Sequence, residues 1–68
     1  MRKFKLKRNF DESGISGTGY VTEGVVFTDG TVAMRWLTSI SSHCYYNSIE
    51  DVIAIHGHDG ATVVEYLD

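Results

Sequence analysis

The chain has no proline and a single cysteine, Cys44. One cysteine excludes a disulfide within the chain and fits a reducing compartment, where thiols stay free. No run approaches the roughly 18 apolar residues that a membrane-spanning helix requires. A basic N-terminus is present, but without the apolar stretch of a signal peptide behind it. A soluble, cytoplasmic protein is therefore expected, with no membrane association. Catalytic and cofactor signatures are also missing. There is no Gly-x-Ser-x-Gly elbow, no glycine loop ending in Lys-Ser or Lys-Thr, and no paired Cys-x-x-Cys or His-x-x-x-His that would bracket a metal. We expect no enzyme, no cofactor and no metal site.

What is present amounts to one domain, residues 1–68, with 43% hydrophobic residues, too many for a disordered tail. A chain this short buries only about 60% of the surface it exposes when unfolded. With no disulfide or metal to compensate, a partner subunit is a natural source of extra stability, so a homodimer is one expectation.

Charge is unevenly distributed. Arg2, Lys3, Lys5, Lys7 and Arg8 are five of the six basic residues, leaving Arg35 alone against nine acidic residues in the rest of the chain. A phosphate backbone needs a broad basic surface, and most of this molecule would repel one, so nucleic acid is not the expected partner. Complementary charge would instead speed encounter with a basic, nucleic-acid-handling protein.

The hydrophobic pattern is mostly that of strands. Arg2 to Phe10 alternates, with Phe4 and Leu6 on one side and Lys3, Lys5 and Lys7 on the other. Lysines on an edge strand also discourage pairing with another sheet, so a solvated face guarded in this way is a simpler reading of the run than nucleic-acid binding. Asp11 to Gly19 is a glycine- and serine-rich loop. Tyr20 to Phe27 forms a second strand, with Gly24 a bulge or a point of close approach. Asp29-Gly30 predicts a type I′ hairpin turn. Thr31 to Leu37 returns with Val32, Met34 and Trp36 on one face and Ala33, Arg35 and Leu37 on the other. His43 to Asn47 is a short fourth strand, on which His43 and Tyr45 oppose Cys44 and Tyr46. Ser48 caps a helix that ends at Gly57, with Asp51 three residues after the cap. Ile49, Val52, Ile53 and His56 form its apolar stripe. Thr62 to Leu67 is the last strand. The fold class is α+β: a mainly antiparallel sheet of four to five strands in the order β-β-β-β-α-β, with the short helix on one face.

His56, His58 and Asp59 lie close together, with His43 and Cys44 upstream, and zinc accepts these residue types. The spacing is poor, and His56 belongs to the buried stripe, so a structural role is the better reading. Gly14, Gly17 and Gly19 lead into a strand rather than a helix, which argues against a phosphate-binding loop. The aromatic residues are more informative. One helix covers one face of a sheet, and adjacent Tyr45 and Tyr46 must point to opposite faces. Arg35, Trp36, Tyr45, Tyr46 and Tyr20 are therefore the candidate protein-binding residues, of types enriched at interaction hot spots.

The segments Ser16-Gly-Thr-Gly-Tyr-Val-Thr-Glu-Gly-Val-Val-Phe-Thr-Asp-Gly-Thr-Val32, Arg35-Trp-Leu37, Ser48-Ile-Glu-Asp-Val52 and Ile55-His-Gly-His58 resemble a family of small proteins of bacteriophages, prophages and actinobacteria. The likeness runs from about Asp11 to the end. The family carries no assigned activity, so the resemblance transfers no functional residue. It implies a phage or mobile-element setting in a bacterial cytoplasm, where small accessory proteins commonly bind host proteins, including components of defence systems. The resulting expectation is a non-enzymatic phage accessory protein that binds and modulates, or inhibits, a host or phage protein. The alternatives are a nucleic-acid-binding module using Lys3, Lys5 and Lys7, and a homodimeric structural protein.

Overall fold

The computed structural model describes residues 1–9 and 19–67, and for His58 the backbone alone. It contains β1 (Arg2–Arg8), β2 (Gly19–Val26), β3 (Val32–Trp36), β4 (His43–Tyr46), α1 (Ile49–His56), a 3-10 turn at His58–Gly60 and β5 (Thr62–Tyr66). The strands form one antiparallel sheet in the order β4-β3-β2-β1-β5. The expected α+β class and element order hold, with five strands. Phe10 and the serine- and glycine-bearing positions 11–18 lie outside the described residues.

One expectation about the sheet is corrected. The lysine-bearing strand β1 is not an edge: β2 pairs with it on one side and β5 on the other. The edges are β4 and β5. Alternation along a strand reveals which face a residue takes but not which neighbours the strand acquires, because pairing is non-local.

Alternation places Phe4, Leu6, Val32 and Met34 on the inner face, where they are buried with Val21 and with Val52 of α1. Val52 is fully buried, which contributes about 2 kcal/mol. Two turns of helix do not persist alone in water, so this packing holds α1 in place. Gly24 is where the sheet admits the Phe4 ring: a Cβ there would lie 2.7 Å from Phe4 Cζ and 2.8 Å from the Ala33 carbonyl oxygen. Gly24 is thus the close approach. The irregularity in β2 falls elsewhere, between the pairs Leu6–Thr22 and Lys7–Tyr20, which leaves Val21 as the extra residue.

The β2–β3 connection also differs from the expected type I′ turn. Gly30 N–H donates to the Phe27 carbonyl at 2.9 Å, and Phe27 N–H to the Thr31 carbonyl at 2.8 Å. Gly30 has φ +89° and Asp29 is not left-handed. This is a three-residue loop with its glycine in the left-handed position. Asp29 does a different job here, accepting from the Thr31 N–H at 3.0 Å and the Thr31 hydroxyl at 2.6 Å.

Ser48 caps α1 as expected, its hydroxyl accepting from Asp51 N–H at 3.2 Å. The helix stops at Gly57, in right-handed conformation, with its N–H bonded to Ile53. The left-handed residues that turn the chain into β5 are Asp59 and Gly60. The apolar stripe is narrower than expected. Val52 is buried and Ile49 and His56 are half-buried, whereas Ile53 is exposed. Ile53 faces a groove beside β5 rather than the core.

Candidate protein-binding surface

The outer face of the sheet, opposite α1, is built from alternate residues of all five strands. One cross-strand row runs His43, Arg35, Glu23, Lys5, Glu65. Beyond the histidine the charges alternate in sign across the whole sheet, the arrangement that favours directly opposed pairs. Arg35 donates to Glu23 Oε1 through Nε at 3.2 Å and Nη2 at 2.9 Å, and through Nη1 to the Ser41 hydroxyl at 3.1 Å. Both side chains of this ion pair are substantially exposed, so its contribution to stability is small. Its effect is to hold the guanidinium in one position on the surface.

Tyr20 crosses β1 from β2 and donates its hydroxyl to Glu65 Oε1 at 2.8 Å. That carboxylate, as acceptor and as a nearby negative charge, raises the Tyr20 pKa above its ordinary value. Lys5 Nζ lies 5.2 Å and Lys7 Nζ 6.0 Å from the centre of the Tyr20 ring, within range of cation–π attraction. Tyr45, on the short edge strand β4, is 76% exposed. Among the described residues no element covers this face, which joins Arg35, Tyr20 and Tyr45 with Lys3, Lys5 and Lys7.

Trp36 and Tyr46 do not belong to it. Both lie on the inner face, half-buried beneath α1. Trp36 Nε1–H donates to Cys44 Sγ at 3.1 Å, and the indole meets His56 edge-on with centroids 5.3 Å apart. The Tyr46 hydroxyl lies 2.6 Å from His56 Nε2. Burial, followed by the neighbouring Cys44, raises the Tyr46 pKa. These four side chains clamp the end of α1 to β3 and β4, which accounts for His56 as a structural residue. Among the described residues no three His, Cys, Asp or Glu side chains converge as a metal site would require.

Two features escaped the sequence reading. Glu23 and Glu65 complete the charged row, and only the strand order brings them to either side of Lys5. The second is a groove of about 650 Å³ between α1 and the outer edge of β5, with Ile53, Ile55, Val63 and Val64 as its apolar walls and Asp59 and Thr62 among its polar ones. The Val-Val pair at the start of β5 was its only local signal. Among the described residues no helix is long and apolar enough to cross a membrane.

No curated protein and no solved structure matches the chain. The model of the Acb5 phage protein family matches residues 1–68, including the basic first strand that the motif resemblance left out. The chain belongs to the Acb5 phage protein family.

Proposed function

We propose that this is a non-enzymatic phage accessory protein that binds a host defence protein and blocks its action, using the outer sheet face. Family membership supports a phage accessory role of the anti-CBASS kind. The observation that carries the choice of surface is the five-strand face opposite α1, which no described element covers, with Tyr45 projecting from it and Arg35 held in place by Glu23. Tyrosine and arginine in fixed positions lose little entropy on binding and dominate interaction hot spots.

The face carries Lys3, Lys5, Lys7 and Arg35 against Glu23 and Glu65, whereas Asp29, Glu50, Asp51 and Asp59, the other acidic positions among the described residues, belong to the hairpin loop, α1 and the turn after it. A partner patch bearing carboxylates fits it best. Glu23 and Glu65 beside Lys5 suit a protein surface more than a phosphate backbone, whose contacts need uninterrupted cations. Trp36 and Tyr46, packed against α1 on the inner face, take no part in this surface.

The test is co-purification with the components of a CBASS system from bacteria expressing tagged protein. Wild type should retain one component, and Tyr45→Ala combined with Arg35→Glu should lose it while keeping its far-UV spectrum and melting temperature. Retention of that component by the folded double variant would remove the open face from the proposal. Binding to DNA or RNA that weakens with salt and with Lys5→Glu would favour the nucleic-acid reading instead.

A further inference from the structure

We infer that two copies of this chain join through β5, pairing the strand with itself antiparallel about a two-fold axis at Val64 to make one continuous ten-stranded sheet. The inference begins with backbone groups. Leu67 N–H donates to the Lys3 carbonyl and Asn9 N–H to the Ala61 carbonyl. With the β1–β5 register, these bonds assign the inward-pointing backbone groups to Ala61, Val63, Glu65 and Leu67. The N–H and C=O of Val64 and Tyr66, and the C=O of Thr62, therefore point outward from the sheet, while Thr62 N–H donates to Gly57. Among the described residues no strand lies beside this edge. An edge of this kind is a template for another strand, and natural edges are normally short or guarded by lysine, proline or a bulge. The other edge, β4, has four residues; β5 has five, with no proline, lysine or bulge.

The occupant is identified by self-complementarity. When Val64 faces Val64 of the second copy, Tyr66 of the second copy lies opposite Thr62. Both are inner-face positions, and Thr62 lines the groove whose apolar wall is made by Ile53 and Ile55. Ile53 and Ile55 are more than half exposed or close to it, at 50% and 58%, and Tyr66 and Leu67 at 37% and 52%. The Tyr66 ring lies under the Arg2 guanidinium at 3.6 Å and edge-on to Phe4 at 6.5 Å but keeps an exposed side, so the strand carries a ring and a groove at its two ends, and a two-fold axis brings each to the other twice. Two-fold contacts are self-complementary in this way. The outward groups match as well: Val64 exchanges hydrogen bonds with its symmetry mate, and Tyr66 N–H reaches the spare Thr62 carbonyl. On the outer face, Glu65 meets Val63 of the second copy, with Lys7 of that copy next in the row.

Sedimentation equilibrium and amide exchange by NMR test the inference on the full chain. At high concentration the mass should be twice the 7.6 kDa of the chain, and Ile53→Glu with Ile55→Glu should return it to monomer with an unchanged circular dichroism spectrum. Ile40→Glu, at an 88% exposed position on the β3–β4 connection, should leave the dimer intact. Amides of Val64 and Tyr66 should exchange slowly in the dimer and at least tenfold faster on dilution, while those of Val63 and Glu65 stay protected throughout. A monomer at every concentration overturns the inference. So does a dimer that Ile40→Glu breaks, or one in which protection at Val64 and Tyr66 does not depend on concentration. If the dimer forms but the host component is not captured, only the functional proposal fails.

Discussion

The Tyr46 hydroxyl and His56 Nε2 lie 2.6 Å apart across the seam between β4 and α1. This polar contact joins the shortest strand to the last turn of a two-turn helix. Tyr46→Phe should cost about 1 kcal/mol, the net worth of a half-buried hydrogen bond, read as a lower urea midpoint at unchanged slope. The pH dependence has a definite sign. Tyr46 is raised above 10.0 in the folded chain, first by burial and then by Cys44. Its contribution is present in full below the unfolded value and is lost as pH rises through the folded one. Wild-type stability should therefore fall above about pH 10. Tyr46→Phe should flatten that limb in denaturation curves, and Tyr20→Phe serves as the comparison because Tyr20 shifts the same way.

Gly24→Ala should destabilise the fold by about 1–3 kcal/mol, the usual cost of overpacking. The added methyl meets the Phe4 ring and also the Ala33 carbonyl, which belongs to backbone and cannot rotate aside. Thermal melting with Phe4→Leu as a second change should recover part of the loss, since Leu withdraws the ring from Gly24.

Lys5→Glu would set three carboxylates in one row, with Glu23 on one side and Glu65 on the other. The expected cost is about 1 kcal/mol at low salt, from like charges directly opposed. Adding salt should shrink the difference from wild type, because exposed charges are screened. A cost independent of ionic strength would mean that Lys5 acts through packing of its stem on Tyr20.

Asp29 tests the hairpin loop. The Thr31 hydroxyl and then the Thr31 N–H hold its carboxyl below 3.8. A depressed value stabilises the fold above the unfolded pKa, and the benefit is lost as pH falls through the folded one. Asp29→Ala should thus lower the melting temperature near neutral pH and leave a smaller difference from wild type in strong acid.

How much of this was legible beforehand follows the range of the interactions involved. Ser48 and Gly57 bounded α1 because capping is decided within a few residues. The faces of β3 and β4 followed from alternation alone, including the separation of Tyr45 from Tyr46. Asp29-Gly30 announced a turn, but its type depended on where the ladder closed, at Phe27 and Thr31. Ile53 fitted a helical stripe yet faces solvent. A helix this short presents about one residue per turn to the sheet, and Val52 already occupies the centre.

Local chemistry, then, set the strands, the helix with its stops and the inner and outer face of each segment, since those follow from periodicities of two and 3.6 residues. Strand order needed contacts between distant positions. It moved Lys3, Lys5 and Lys7 from a supposed rim to the middle of the outer face, set Glu23 and Glu65 beside them and left β5 at the edge with a groove beside it. Pairing joins residues more than fifty positions apart, as Arg8 does with Thr62, and no local window of the chain encodes that choice.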